Sequence, residues 1–293
     1  MLLMKRDLKF EVFCYIFVGI FVICCIVPFA VVISISLSSE ESILQFGYGL
    51  TPRGLSVEAY KALFQNIGTI LQSYKVTLFI TVVGTMLSLF IGSMFAYTIS
   101  RRDFKLAQVL SFFIYFTMLF SGGLVPTYML ISKYLKLSNT VWAIILPLCI
   151  GQWNIFLLKS FFRSVPFEII EAAKIDGSNE YKTFFRVVLP VAKSGIATVG
   201  VFIVLMYWND WYNAMLYFTD PALYTLQYLL QCIMQRLEFL QMASKSGMAL
   251  AETAPSETLR MATCVVAAGP MVFVFLLFQR YFVKGITVGA VKG

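Results

Sequence analysis

The sequence contains no histidine, and only 13% of its 293 residues are charged. Soluble domains usually have about 25% charged residues, so this chain is poor in the groups that face water. Histidine is the commonest metal ligand and the commonest acid–base catalyst, and its absence leads us to expect no metal site and no catalytic residues. An enzyme is therefore disfavoured.

Two short motifs are also missing. No Cys-x-x-Cys occurs, and five of the six cysteines lie inside apolar runs, so neither a disulfide framework nor a thiolate metal site is expected. No Gly-Lys dipeptide occurs, which excludes the phosphate-binding loop G-x-x-x-x-G-K-[ST]. We therefore expect no cofactor on this chain and no ATP hydrolysis by it.

Apolar residues make up 59% of the chain, and its mean hydropathy is +0.82. A membrane-spanning helix needs about 20 such residues. Six stretches supply them: 11–37, 73–100, 106–124, 140–160, 192–218 and 259–282. The first is longer than the apolar region of a signal peptide, so we expect it to remain as a helix. The predicted fold is an all-α polytopic membrane protein with six transmembrane helices in a single domain, 1–293.

Two local patterns refine this prediction. The second stretch contains Gly84, Ser88, Gly92 and Ser93, small residues that allow neighbouring helices to approach closely. The segment 124–137 mixes apolar and basic residues and is predicted to lie on the outer surface as an amphipathic or broken helix.

The basic residues predict the orientation. With the N-terminus inside, fifteen Lys and Arg residues fall on the inner side and eight on the outer side. Because cytoplasmic segments are enriched in basic residues, both termini and the loop 161–191 are predicted to be cytoplasmic. The net charge of +8 is thereby explained by membrane orientation, and no nucleic-acid partner is expected.

The loop 161–191 reads as two short helices that meet at a turn. Ser164 is a candidate cap, Pro166 suits a first helical turn, and Gly177 can adopt the left-handed conformation that ends a helix. Ser178 or Asn179 would cap a second helix that ends before Pro190. Such a hairpin could serve as a docking surface or lie against its own protein, and local chemistry leaves both readings open.

This loop resembles the EAA motif of ABC-importer permeases: Glu-Ala-Ala, three residues, Gly, nine residues, an aliphatic residue, any residue, then Leu-Pro. The matching residues are Glu171, Ala172, Ala173, Gly177, Val187, Leu189 and Pro190. Val187 is the one departure, since isoleucine is commoner there. The resemblance implies a coupling helix that fits a groove in an ATPase subunit. Asp176 joins the candidate contacts because it opposes the helix macrodipole and so needs a compensating partner.

The resemblance extends over nearly the whole chain. The segments 120–131 (FSGGLVPTYMLI), 207–218 (YWNDWYNAMLYF) and 279–293 are similar to carbohydrate-importer permeases of the MalG type, and closest to the LplC/YtcP-like branch. In that type the C-terminal tail enters the interface between the ATPase subunits, which makes candidates of Lys284, Gly285, Gly289 and Lys292. The alternative is a basic tail anchored at the inner membrane surface.

Polar residues inside predicted spans indicate a substrate path, because they are costly in lipid. The candidates are Trp208, Asn209, Asp210, Trp211, Asn213 and Asn154. Amides and carboxylates can bind sugar hydroxyls, and aromatic rings can cover the apolar faces of sugar rings. The alternative is an aromatic belt at the membrane surface, and direct substrate contact is left open.

The leading hypothesis is a permease subunit of an ATP-driven importer in a bacterial-type cytoplasmic membrane. Its expected partners are a second, different permease, two ATPase subunits or domains that bind ATP and Mg²⁺, an extracytoplasmic solute-binding protein and the lipid bilayer. The solute is expected to be an oligosaccharide or a related carbohydrate. The alternatives are an ABC permease for another solute, such as a peptide, and an autonomous secondary transporter.

Overall fold

The computed structural model describes residues 8–65, 67–245 and 256–290, and within these ranges the regular structure is helical. The chain forms two compact units. The first comprises Met1–Ile67 and Cys232–Gly269, and the second comprises Gly68–Gln231 and Pro270–Gly293. The assignment of the whole chain to one domain stays a prediction.

The first unit begins with α1 (Leu8–Ser36), followed by α2 (Glu40–Phe46) and α3 (Glu58–Phe64). Within α1, Glu11–Ser36 is long and apolar enough to cross a membrane. Its aromatic side chains, among them Phe13, Phe17 and Phe21, are exposed. A helix that exposes apolar side chains needs lipid or another apolar surface around it.

Glu40, in the first turn of α2, binds the beginning of α15 (Ser256–Ala290). Its carboxylate accepts hydrogen bonds from the backbone amides of Glu257 and Thr258, both at 3.0 Å, and from the Thr258 hydroxyl at 2.9 Å. The first amides of a helix have no partner within the helix, so Glu40 satisfies two donors and places a negative charge at the positive end of the helix dipole.

The long helix α4 (Ile67–Ser100) buries a row of small and hydroxyl-bearing residues. They are Ser73, Thr77, Thr81, Gly84, Thr85, Ser88, Gly92 and Ser93. Because they recur every three or four residues, they share one face of the helix. Neighbouring side chains approach this face closely: Tyr207 lies against Gly84 and Leu158 against Gly92. The predicted role of these small residues in helix packing is confirmed.

The third predicted span is broken. α5 (Ala107–Leu119) is followed, after a bend of 109°, by α6 (Leu124–Met129) and a π-helical turn, Leu130–Tyr134. The prediction of one helix over 106–124 is therefore wrong, and the left-handed φ of 88° at Gly123 accompanies the break. The segment 124–137, predicted as an amphipathic or broken helix, is helical from Leu124 to Tyr134, and its place on the outer surface stays a prediction.

The fourth predicted span, 140–160, is also bent. It consists of α7 (Trp142–Cys149) and α8 (Gln152–Arg163), which meet at an angle of 47°. Pro147 lies inside α7 and Gly151 precedes α8. Proline removes a backbone donor and is a common cause of a bend in a helix.

The remaining helices form the loop 161–191 and the segment that follows it along the chain. They are α9 (Phe167–Ile175), α10 (Glu180–Lys182), α11 (Leu189–Val191), α12 (Lys193–Trp208), α13 (Tyr212–Tyr217) and α14 (Leu226–Lys245). A π-helical turn, Thr183–Val188, joins α10 to α11, and the segment Glu180–Val191 meets α12 at 81°. The prediction of one continuous helix over 192–218 is wrong, because α12 ends at Trp208.

Two helices, Glu11–Ser36 and Ile67–Ser100, are individually long and apolar enough to cross a membrane. Within the described ranges, the three bent pairs raise the number to five if each pair counts as one span. The sixth predicted span, 259–282, lies within the 35-residue helix α15.

Candidate functional site

The EAA hairpin, residues 166–191, begins with α9. Pro166 immediately precedes the helix, with φ of −56° and ψ of 133°. The prediction that Ser164 caps this helix is wrong, because its hydroxyl donates to the Phe161 carbonyl at 2.7 Å and so closes the end of α8. The fixed φ of proline favours the start of a helix without a side-chain cap.

Gly177 ends α9 in the left-handed conformation, with φ of 78°. The Ser178 amide donates to the Ala173 carbonyl at 3.0 Å, and the Gly177 amide donates to the Lys174 carbonyl at 3.0 Å. This pair of bonds is a Schellman motif, which satisfies carbonyls that the helix leaves unpaired. The predicted role of Gly177 in the turn is confirmed.

Asn179 caps the second arm of the EAA hairpin, as one of the two predicted candidates. Its side-chain oxygen accepts a hydrogen bond from the Lys182 amide at 2.9 Å. The prediction that this arm ends before Pro190 is wrong, since α11 continues to Val191. Proline crowds the carbonyl four residues before it, and the wider π-helical turn that precedes α11 accommodates the ring.

The two faces of α9 differ in burial. Ile170 and Ala173 are buried, and Ile170 packs in one apolar cluster with Phe184 of the second arm. Ala172 is exposed, and Ile175 is 86% exposed. The exposed surface of α9 therefore combines the apolar Ala172 and Ile175 with the charged Glu171, and such a mixed surface suits contact with another protein.

The other motif residues take different positions. Glu171 and Asp176 are exposed, and their side chains make no hydrogen bond or ion pair with the described part of the chain. Asp176 therefore opposes the dipole of α9 without compensation from within these residues. Leu189 is half-buried against the apolar cluster, and Pro190 is exposed.

A network of charged residues, not predicted from the sequence, lies beside the EAA hairpin. Arg101, just after α4, forms ion pairs with Asp103 and with Glu180 of α10, the latter at 2.9 Å. Lys174 of α9 contacts the same two carboxylates, at 3.0 Å and 3.1 Å. Hydrogen bonds from Arg101 hold the pKa of Asp103 well below its usual range, and the hydrogen bond to Asp103 raises the pKa of Lys174. The available signal was Asp103, an acidic residue in an otherwise basic loop.

The predicted substrate-path residues lie around the end of α12. Asp210 follows the helix, and its Oδ1 accepts hydrogen bonds from the Asn213 side chain at 3.0 Å and from the Asn213 amide at 3.3 Å. Asp210 Oδ2 is buried and has no hydrogen-bond partner among the described residues. A buried carboxylate oxygen without a partner is costly, which makes this atom a candidate to bind a hydroxyl group.

The other candidates are not equally placed. Trp208 is buried against Tyr74, with ring centroids 6.3 Å apart. Trp211 is 39% exposed. Asn209 donates to the carbonyl of Leu205 at 2.8 Å and thereby closes α12. Asn154, near the start of α8, is half-buried, and no hydrogen bond joins it to Asp210 in the part of the chain that the structure covers.

The tail residues predicted to contact the ATPase lie near the C-terminal end of the described residues. Lys284, Gly285 and Gly289 belong to the helix α15, which ends at Ala290. Lys292 lies outside the described residues.

The fold and the EAA hairpin place the chain among transporter membrane subunits. The sequence profile of the binding-protein-dependent transport system inner membrane component matches residues 84–288. The chain belongs to this family, and the resemblance seen in the EAA motif is confirmed.

Particular relatives match over the whole length. The chain is 39% identical to the polygalacturonan/rhamnogalacturonan transport system permease protein YtcP of Bacillus subtilis (strain 168), covering 99% of this chain and 100% of YtcP. It is 36% identical to protein LplC of the same organism, covering 99% and 97% of the two chains. It is also similar to a chain of a bacterial ABC transporter involved in the import of the acidic polysaccharide alginate, with a TM-score of 0.80 and 26% identity over 96% of this chain and 99% of that chain.

Proposed function

We propose that this chain is one of two different permease subunits in an ATP-driven importer, which receives an oligosaccharide from an extracytoplasmic binding protein. The observation that carries the proposal is the exposed face of α9, where Ala172 and Ile175 point outward while Ile170 anchors the helix to its own core. A partner groove can approach the backbone closely at Ala172. The partner is an ATPase pair that binds ATP and Mg²⁺, and Asp176 and the α15 end at Lys284–Gly289 supply further contacts.

The membrane arrangement in this proposal has six spans and both termini in the cytoplasm. Six helical regions of suitable sequence supply the spans: α1, α4, the bent pairs α5–α6 and α7–α8, α12 and α15. The first half of the third bent pair, Glu180–Val191, is the second arm of the EAA hairpin and lies outside the spans. The excess of basic residues on the side of the EAA hairpin supports its cytoplasmic location.

A carbohydrate is the proposed solute because of the relatives and the Asp210 site. YtcP carries polygalacturonan and rhamnogalacturonan in its name, and the structural relative takes part in alginate import. Asp210 Oδ2 has no hydrogen-bond partner among the residues that the structure describes, and the partly exposed Trp211 offers an aromatic surface beside it in the chain. Oligosaccharides derived from such polysaccharides are therefore the first compounds to test.

Co-purification tests the proposed assembly. The tagged chain is expressed in its native membrane, extracted in mild detergent and analysed by mass spectrometry, alongside Ala172→Trp and the control Lys61→Gln on α3. We expect an ATPase and a second permease to accompany the wild type and the control. Ala172→Trp should insert normally and lose the ATPase, because a large side chain on the outer face of α9 prevents close approach. Retention of the ATPase by this variant would contradict the docking assignment.

The alternative from the sequence analysis is an autonomous secondary transporter, which would carry the solute without an ATPase, and the match to a binding-protein-dependent transport component disfavours it. Purified chain in liposomes separates the two candidates. Solute uptake without any ATPase would establish the secondary transporter, whereas uptake that requires the reconstituted ATPase and ATP would establish the importer.

A further inference from the structure

Arg101 lies at the centre of the charged network that joins the end of α4 to both arms of the EAA hairpin. Its guanidinium donates to Asp103 Oδ1 at 2.8 Å, to Glu180 Oε2 at 2.9 Å and to the Tyr97 hydroxyl at 2.6 Å. Lys174 closes the network from α9 by contacting Asp103 and Glu180. Arg101 thus contacts the second arm directly, through Glu180. It reaches Lys174 of the first arm indirectly, through the carboxylates of Asp103 and Glu180.

Burial distinguishes Arg101 from its partners. Its side chain is 6% exposed, whereas those of Asp103 and Glu180 are 41% and 57% exposed. A cavity of about 250 Å³, lined in part by Phe104 and Thr98, opens beside these residues. A buried guanidinium requires its hydrogen-bond partners, so the positions of both carboxylates depend on Arg101 more than on the exposed Lys174.

The EAA hairpin is connected to neighbouring helices along the polypeptide and through side-chain contacts, among them the Tyr97–Phe184 ring pair, whose centroids are 5.0 Å apart. The polypeptide leads from the second arm to α12, but the helix axis changes direction by 81° at that junction. The charged network leads instead to α4, which continues without interruption for 34 residues. A continuous helix transmits a displacement of its end along its whole length, whereas a bent junction can absorb part of it.

We propose that Arg101 is a positioning residue that ties the EAA hairpin to α4, so that movement of α9 by the ATPase also moves α4. This inference rests on the proposed function, since it assumes that α9 is the helix on which the ATPase acts. It adds ion pairs to the routes that run along the polypeptide and through the contact between Tyr97 of α4 and Phe184 of the second arm.

The test compares Arg101→Gln, Arg101→Lys and Arg102→Gln in the complete purified importer. Arg102 is exposed and makes no ion pair or hydrogen bond with residues that the structure describes, so its variant removes the same charge beside the network. The measured quantity is solute transported per ATP hydrolysed in proteoliposomes. We expect Arg101→Gln to lower this ratio about fivefold or more, the lower end of typical coupling between sites. Arg101→Lys should recover part of it, because lysine keeps the charge and loses the planar set of donors.

A ratio for Arg101→Gln equal to that of Arg102→Gln, in an assembled complex, would overturn the inference. If Arg101→Gln does not assemble, Glu180→Gln takes its place, because this partly exposed residue lies at the other end of the 2.9 Å ion pair; an unchanged ratio would again overturn the inference. A failure of the proposed function would give a different result, because the wild-type chain would then assemble with no ATPase.

Discussion

Gly84 of α4 lies directly against the ring of Tyr207 of α12. A Cβ atom at position 84 would lie 2.6 Å from Cζ of that ring. The ring is fixed in place, because its hydroxyl donates to the Ile145 carbonyl at 2.9 Å and is within 3.1 Å of the Ser88 hydroxyl. The two helices are therefore held at a distance that only glycine permits at this position.

Replacement of Gly84 by alanine should destabilise the protein by about 1–3 kcal/mol, the usual cost of overpacking. Thermal unfolding in detergent measures the effect. Gly92→Ala is the matched control, because the nearest atom to a Cβ there is Leu158 Cδ1, at an ordinary contact distance of 3.5 Å. Equal stability losses in the two variants would show that Tyr207 can move away.

Replacement of Gly177 by valine should uncouple transport from ATP hydrolysis while membrane insertion persists. The left-handed conformation costs a residue with a side chain about 1–2 kcal/mol, and no other atom lies within 4 Å of a Cβ at this position, so the effect arises from the backbone. Asparagine tolerates this conformation, and Gly177→Asn should therefore remain coupled. Uptake and substrate-stimulated ATPase activity in the purified complex provide the measurement, and normal values for the valine variant would exclude a coupling role for the turn.

Replacement of Asp210 by asparagine should raise KM for uptake about tenfold, the loss expected for a hydrogen bond to a charged group. ATPase assembly should be unaffected. Asp220→Asn is the control, because this exposed carboxylate caps the short turn Pro221–Leu223 and is not a path candidate. If Asp210→Asn transports like the control, Asp210 serves only to hold α13 through Asn213.

The contribution of Asp103 to stability should depend on pH only in strongly acidic solution. Arg101 lowers the pKa of Asp103 in the folded protein below its ordinary value of 3.8. A lowered pKa means that the contribution is fully present above the ordinary value and is lost as the pH falls through the folded value. The difference in Tm between the wild type and Asp103→Asn should stay constant between about pH 8 and 5 and shrink below about pH 4. A difference that already changes between pH 7 and 5 would contradict the ion-pair assignment.

The turn of the EAA hairpin could be predicted because its chemistry is local. Gly177 and Asn179 end one helix and start the next through contacts within five residues. Hydropathy, in contrast, averages over a window about as long as a span, so it found the apolar stretches and could not detect the breaks within them. Pro190 illustrates the difference: proline alone suggests a helix end, whereas the π-helical turn before it lets the helix continue.

Arg101 could not be assigned from the sequence for another reason. A basic residue after an apolar stretch is explained by orientation alone, and Glu180 lies 79 positions away along the chain. Only the fold brings the two together. Asp210 was a candidate from the sequence because it is polar. Its buried Oδ2, which has no hydrogen-bond partner among the described residues, could be recognised only from the structure, in which α12 ends at Trp208.

The bond between Glu40 and Thr258 has a consequence for biosynthesis. The two residues are 218 positions apart, so at about 5–20 residues per second the ribosome takes about 10–40 s to reach Thr258 after it has made Glu40. During this interval the carboxylate has no helix end to bind. The completed first unit therefore closes only after nearly the whole polypeptide has been translated, and a nascent chain stalled before α15 would lack the hydrogen bonds from Glu257 and Thr258 to Glu40.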